Sequence, residues 1–208
     1  MVSRPNSRLG NQLLITPLLQ ELSDIFPEAQ IDLFVRGGLA PILFQNYTNI
    51  DTIFKLPGRP FEHLISYFSI WLRLIMTHYD LAINAESGSS SGRLSVKFAH
   101  AKYKVYDLSD NQLEKLYSDY RHMAKHPVYT LRKLLDRKID LPIHPLSIKL
   151  NSKEKEYGKK FLQQFVGNSK KTICLYTYAT GNKCYSKDLW RTLYAKLHGF
   201  DLLIYICC

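Results

Sequence analysis

The stretch Arg8-Leu9-Gly10-Asn11-Gln12-Leu13-Leu14-Ile15-Thr16-Pro17-Leu18-Leu19-Gln20-Glu21-Leu22 decides how the rest of the chain is read. Leu13, Leu14, Leu18, Leu19 and Leu22 recur at three- to four-residue spacing, the period of a helix with one buried face. Gly10 and the small polar Asn11 open it, which predicts a helix from about Gly10 to Phe26. Pro17 falls about two turns in, where it removes a backbone donor and kinks the helix. A glycine turn at a helix start offers free N–H groups and the positive end of the helix dipole to an anion or polar substrate. Packing of the same helix on a sheet accounts for every leucine equally well.

Working outward, strands and helices alternate. Strand Ile31–Val35, a short helix Ala40–Gln45 and strand Thr52–Lys55 lead to a Pro/Gly turn at 56–60. A long helix Phe61–His78, strand Leu81–Asn84, helix Arg93–Ala101 and strand Tyr103–Tyr106 follow. Such alternation predicts an α/β fold with a parallel sheet and crossover connections. The start does not fit. The first, central strand of such a sheet is normally buried and aliphatic, and before Pro5 only Val2 is aliphatic, so the expectation is a chain truncated at its N-terminus.

Residues 85–92 (AESGSSSG) read either as a solvated linker or, directly after a strand, as part of a ligand crevice. Residues 107–121 are polar and poorly periodic, and 126–140 (HPVYTLRKLLDRKID) read as a basic amphipathic helix with a solvated face. Two prolines stiffen Leu141-Pro142-Ile143-His144-Pro145, which predicts a domain boundary with domains at 1–140 and 141–208. Beyond it come strand Leu146–Leu150, helix Ser152–Phe165, strand Thr172–Tyr176, a loop at 177–185, a helix from about Ser186 to His198 and strand Leu202–Ile206. That is fewer strands than a second parallel-sheet domain needs, so the expectation is an incomplete second domain.

Composition narrows the class. Hydrophobic content of 46% with 22% charged residues fits a folded globular chain. The 28 Lys and Arg against 18 Asp and Glu give a net charge of +10, which suits an anionic partner: nucleic acid, acidic lipid, or phosphorylated sugars and nucleotides. No interleaving of aromatic and basic residues marks a nucleic-acid module, and none is expected as a partner. The 4 cysteines, all late in the chain, have no metal-ligand spacing and favour a reduced, cytoplasmic setting. The most apolar run, Leu64–Met76, is too short to cross a bilayer, so any membrane contact is peripheral. No histidine cluster has ligand spacing, and no metal site is expected.

The Gly10-to-Pro17 helix start, FPEAQIDLFV at 26–35, NIDTIFKLP at 49–57, YDLAIN at 79–84 and TYATGNKCYSKDLW at 177–190 occur in one order. In this the chain resembles glycosyltransferase family 9, the ADP-heptose:lipopolysaccharide heptosyltransferases. The resemblance implies a GT-B fold: an N-terminal Rossmann-like domain for a lipopolysaccharide core acceptor, and a second Rossmann-like domain for an ADP-sugar donor. It implies transfer of a heptose or related sugar with inversion, without a bound metal or other cofactor, in the cytoplasm or peripherally at the inner membrane.

The family places an Asp, thought to be the general base, directly after the first glycine of the helix; this chain has Asn11. A neutral amide holds a hydroxyl by hydrogen bonds but cannot take its proton. Another group then does the work, or Asn11 only orients the acceptor, or activity is gone. Glu86, after the fourth strand, is the replacement to test. Thr177, Thr180, Gly181 and Lys183 follow a strand and precede a helix, a context that suits a diphosphate. Lys183 matches the family's diphosphate lysine, whose charge would stabilise the leaving group. The family's later Asp-Thr-Gly-x-x-His segment has no counterpart here. A catalytically inactive truncated remnant and a basic anion-binding module are the competing readings.

Overall fold

Val2–Arg4 forms a strand, β1, where the sequence reading found none. The structure, a computed structural model, describes residues 1–106, 109–165, 172–176 and 184–205. After β1 come α1 (Leu9–Leu13), α2 (Thr16–Ile25), β2 (Ile31–Arg36), α3 (Ala40–Leu43), β3 (Ile50–Leu56), a 3-10 turn (Pro60–Glu62), α4 (Leu64–Met76), β4 (His78–Asn84), α5 (Ser90–Phe98) and β5 (His100–Val105). Helices α6 (Asn111–Leu116) and α7 (His126–Leu134) complete the first unit, Met1–Lys149. The second unit, Leu150–Cys208, holds α8 (Ser152–Phe165), β6 (Thr172–Tyr176), α9 (Lys187–Lys196) and β7 (Asp201–Tyr205).

The first unit is built on a five-stranded parallel sheet in the order β3-β2-β1-β4-β5. The expected missing central strand is therefore corrected: β1 lies between β2 and β4, with Val2 opposite both Leu33 and Ile83. It escapes an aliphatic pattern because two of its three residues are polar and fully buried, yet supplied with partners. Ser3 Oγ lies 2.6 Å from Ser95 Oγ of α5, and the Arg4 side chain donates to main-chain carbonyls. A buried polar group costs little once it is hydrogen-bonded.

Alternation along β2 divides the core. Ile31, Leu33 and Val35 face α2 and α7, meeting Leu18, Leu19, Leu22, Val128 and Leu131. Phe34 faces the other way, toward α4 and α5, with its ring edge-on to Trp71 at 5.2 Å. Full burial of one such side chain contributes about 1.5–3 kcal/mol.

Pro17 breaks the predicted first helix rather than bending it. Proline cannot donate to the carbonyl four residues back, so Leu13 O accepts a hydrogen bond from Thr16 Oγ1 (2.8 Å) instead, and α2 restarts with Pro17 in its first turn. The same Thr16 hydroxyl accepts from Ser147 N at 3.1 Å.

Helix α7 also departs from expectation. It ends at Leu134, with Asp136 at a φ of 50° just beyond, and it is mostly buried rather than solvated. Arg132 clamps Glu21 of α2 through both guanidinium edges, at 2.7 and 2.8 Å, and donates to the carbonyls of Ile139, Leu141 and Pro142. Residues 141–149 carry no regular strand and belong to the first unit: Tyr47 and Asn46 donate to Ser147 O and Lys149 O. The compact units accordingly divide at Lys149/Leu150. In the second unit β6 and β7 pair in parallel, Thr172 opposite Asp201.

Candidate functional site

From β1 the chain steps outward to β2 and β3, then returns to lay β4 on the other side of β1. The carboxyl ends of β1 and β4 therefore flank a topological switch point, where loops diverge and open parallel sheets bind ligands. Arg4 closes β1 at this edge, Arg36 closes β2, and Asn84 closes β4.

The Arg4 guanidinium is fully buried and holds two turns together. Its Nε donates to Asn11 O, and its Nη1 donates to Ala85 O at 2.8 Å. Its Nη2 is buried with no hydrogen-bond partner among the described residues. Burial pushes the Arg4 pKa down, and the neighbouring Glu86 carboxylate pushes it back up. Asn6 links the same turns: Nδ2 donates to Glu86 Oε1 at 3.3 Å, while Oδ1 accepts from Arg8 N at 3.1 Å.

Gln12, also fully buried, ties in β2. Its Nε2 donates to Asn6 O (2.9 Å) and Arg36 O (3.1 Å), and its Oε1 is a buried acceptor with no partner among the described residues. Arg36 Nε is likewise a buried donor without one. Gly37, at a φ of 80°, turns the chain away from β2 so closely that a Cβ would lie 3.3 Å from Ser7 Cβ.

After β4, Asn84 folds over the turn, donating to Glu86 O at 3.0 Å and accepting from Glu86 N at 3.2 Å. Ser89 caps α5, its Oγ accepting from Gly92 N at 3.1 Å. The predicted loop at 85–92 is thus shorter, and Ser90–Gly92 are helical. A Cβ on Gly92 would strike Asn84 Oδ1 and stand 3.3 Å from Pro5 Cδ, so the glycine lets α5 start against the sheet edge.

The two residues singled out as catalytic, Asn11 and Glu86, are brought to one edge; both are half-buried. The helix that Gly10 and Asn11 open, α1, spans only 5 residues, too short for an appreciable macrodipole. Thr177, Thr180, Gly181 and Lys183 lie outside the described residues. Sequence reasoning passed over Arg4, Asn6, Gln12 and Arg36. The signal available was a run of polar residues, Ser3 to Arg8, where a buried strand gives way to a helix.

A cavity of about 900 Å³ lies at the opposite, amino edge of the sheet, lined by Met1, Asp32, Asp51, His78 and Tyr79 among others. We assign the candidate site to the carboxyl edge instead, because three buried polar atoms without a partner among the described residues, Arg4 Nη2, Gln12 Oε1 and Arg36 Nε, gather there.

No protein-family model matches the chain, and no curated protein does. Solved structures do. A crystal structure of a glycosyl transferase family 9 protein from Veillonella parvula superposes with a TM-score of 0.72 at 16% identity, over 98% of this chain and 60% of that one. The chain has the fold of a family 9 glycosyltransferase. E. coli heptosyltransferase WaaC, solved with ADP, gives a TM-score of 0.65 at 15% identity, over 100% of this chain and 67% of that one. The chain therefore spans 60% and 67% of the length of these two structures. The parallel sheet and its α/β layers match these GT-B glycosyltransferase neighbours, the fold class that the sequence motifs implied.

Proposed function

We propose that this chain is an inverting, metal-independent sugar transferase that moves a heptose or related sugar from an ADP-sugar to a lipopolysaccharide core acceptor, with residues 1–140 on the acceptor side and 141–208 on the donor side. The observation that carries the reading is the polar cluster at the carboxyl edge of β1, where Arg4 joins the turns bearing Asn11 and Glu86. The likeness in fold to a family 9 glycosyl transferase and to a heptosyltransferase solved with ADP supports the donor class.

In the proposed step an acceptor hydroxyl attacks the anomeric carbon of the donor. The new C–O bond forms as the bond to the diphosphate breaks on the opposite face, and ADP leaves with the electron pair. Glu86 takes the hydroxyl proton, Asn11 orients the hydroxyl, and Lys183 meets the growing charge on the diphosphate, assisted by Thr177, Thr180 and Gly181. The acceptor reaches the site from a membrane surface that the protein contacts peripherally.

The test is ADP release from ADP-heptose in the presence of a deacylated lipopolysaccharide core. Glu86→Gln is expected to lower turnover by roughly 100-fold or more; unchanged turnover removes Glu86 as the base. Asn11 in place of a carboxylate favours a second reading, an inactive remnant that still binds anions. Thermal unfolding with ADP, UDP and GDP separates the two. An upward shift with ADP but no ADP release fits the remnant, because ligand that binds the native state stabilises it by mass action.

A further inference from the structure

Helix α4 is apolar on two faces. Tyr67, Ile70, Trp71 and Leu74 form the inner stripe, packed on Phe34, Phe54 and Ala82 of the sheet. The outer stripe is Ile65, Phe68, Leu72 and Ile75, continued backward by Phe61 at the 3-10 turn, and it lies in solvent. Phe61 is 91% exposed, Ile65 89% and Phe68 67%, values typical of lysine rather than of large apolar side chains. A helix apolar all round is ordinarily enclosed or in lipid. At 13 residues this one is about 20 Å long, short of the roughly 30 Å of a bilayer core, so it cannot span.

Charge says what covers the outer stripe. The helix carries one charged residue, Arg73, and no acid. The neighbouring elements add Arg59 before the helix, Lys97 on α5, and Lys102 and Lys104 on β5, with the Lys102 Nζ over the Tyr103 ring at 5.3 Å. Lys104 pairs in register with Ala82, which places it on the α4–α5 side of the sheet, and its Nζ donates to Lys97 O at 2.9 Å. The acids nearby are Glu62, ion-paired with Arg59 at 3.0 Å, and Asp80 in β4. An unbroken apolar stripe with a cationic surround complements an anionic lipid surface, where the helix lies in the plane of the headgroups.

We propose that the outer face of α4, from Phe61 to Ile75, is the surface by which this chain docks on an anionic lipid bilayer. This rests on, and gives a location to, the peripheral contact in the proposed transferase reading. Phe61 follows the carboxyl end of β3, so the docked stripe begins at the same sheet edge as Arg4 and Glu86. A lipid-linked acceptor would then enter the site from the bilayer side.

The experiment is cosedimentation of the chain with vesicles of phosphatidylcholine alone and of phosphatidylcholine with phosphatidylglycerol. Binding to the mixed vesicles is expected, weakened about tenfold or more by Ile65→Glu/Phe68→Glu and by high salt. Lys97→Glu/Lys102→Glu is expected to weaken it severalfold while leaving the apolar stripe intact. Both pairs are exposed, and an unchanged thermal unfolding curve verifies their folding. Equal binding by parent and Ile65→Glu/Phe68→Glu, or no binding by the parent, overturns the proposal. So does a dimer of the parent that the same pair converts to monomer, which would make a second copy the occupant. ADP release with a deacylated acceptor is read without vesicles, so failure of the docking surface and failure of the transferase reading are told apart.

Discussion

Arg4 Nη1 donates to Ala85 O at 2.8 Å across 81 residues of sequence, joining the end of the first strand to the turn after the fourth. The other edge of the same guanidinium holds Asn11 O. One side chain thus sets the separation of the two turns that bear Asn11 and Glu86, and it does so from a strand of only three residues.

Replacing Arg4 by Met is expected to destabilise the fold by about 2–4 kcal/mol, because two carbonyls lose their donor and one of them is buried. Lysine keeps the charge but not the fork that reaches both carbonyls, and is expected to recover less than half of the loss. Urea unfolding of the three proteins measures this. Wild-type stability in the Met variant would show that the clamp is dispensable.

Gly92→Ala opposes two effects. Alanine favours a helix over glycine by about 1 kcal/mol, but its Cβ collides with Asn84 Oδ1 and crowds Pro5. The collision displaces a side chain that brackets Glu86 through two hydrogen bonds. A net loss of about 1–3 kcal/mol is expected. It should be accompanied by lower turnover if Glu86 is the base. A more stable variant would mean that α5 shifts freely.

Glu21 and Arg132 are a buried, doubly hydrogen-bonded pair, with side chains 8% and 2% exposed. Glu21→Gln leaves a buried cation without its counter-charge and is expected to cost about 3–5 kcal/mol. Glu21→Leu combined with Arg132→Met removes both charges and should be less damaging than either single change. A double-mutant cycle in urea decides it. Because Arg132 also holds the carbonyls of Ile139, Leu141 and Pro142, limited proteolysis near residue 141 should speed up in every variant that lacks it.

Alkaline stability should carry the mark of Tyr129. Burial, and then its hydrogen bond to Asp119 at 2.8 Å and the charge of that carboxylate, push its pKa up to about 12 from 10.0. The folded state keeps the proton while the unfolded state gives it up. The stabilisation is therefore fully present below pH 10 and is lost as the pH rises from 10 toward 12. Between pH 9 and 11 the tyrosine contributes a loss on the order of 1 kcal/mol. Tyr79, raised by burial and by its hydrogen bond to Asp32, acts in the same direction. The loss between the two pH values should shrink in Tyr129→Phe, with Tyr79 accounting for part of what remains; an equal slope in both proteins would refute the assignment.

The alternation of elements was legible along most of the chain because it is local. The leucine spacing of α2, the apolar run of β2 and the Ser186 cap of α9 each act within a turn or a few strand positions. Boundaries moved where a side chain substituted for backbone, as Thr16 does beside Pro17 and Ser89 does before α5.

The sequence by itself determined the α/β order of the first unit, the parallel sheet, and the edge to which Glu86 belongs, since strand and helix periods follow from residue spacing alone. Only the tertiary structure decided that Ser3 and Arg4 form the central strand and that Arg132 is a buried clamp rather than a solvated charge. A polar side chain inside a core is stable only when partners satisfy it, and those of Ser3, Arg4 and Arg132 lie up to 92, 81 and 111 residues away. No local pattern announces such a partner; the fold has to bring it.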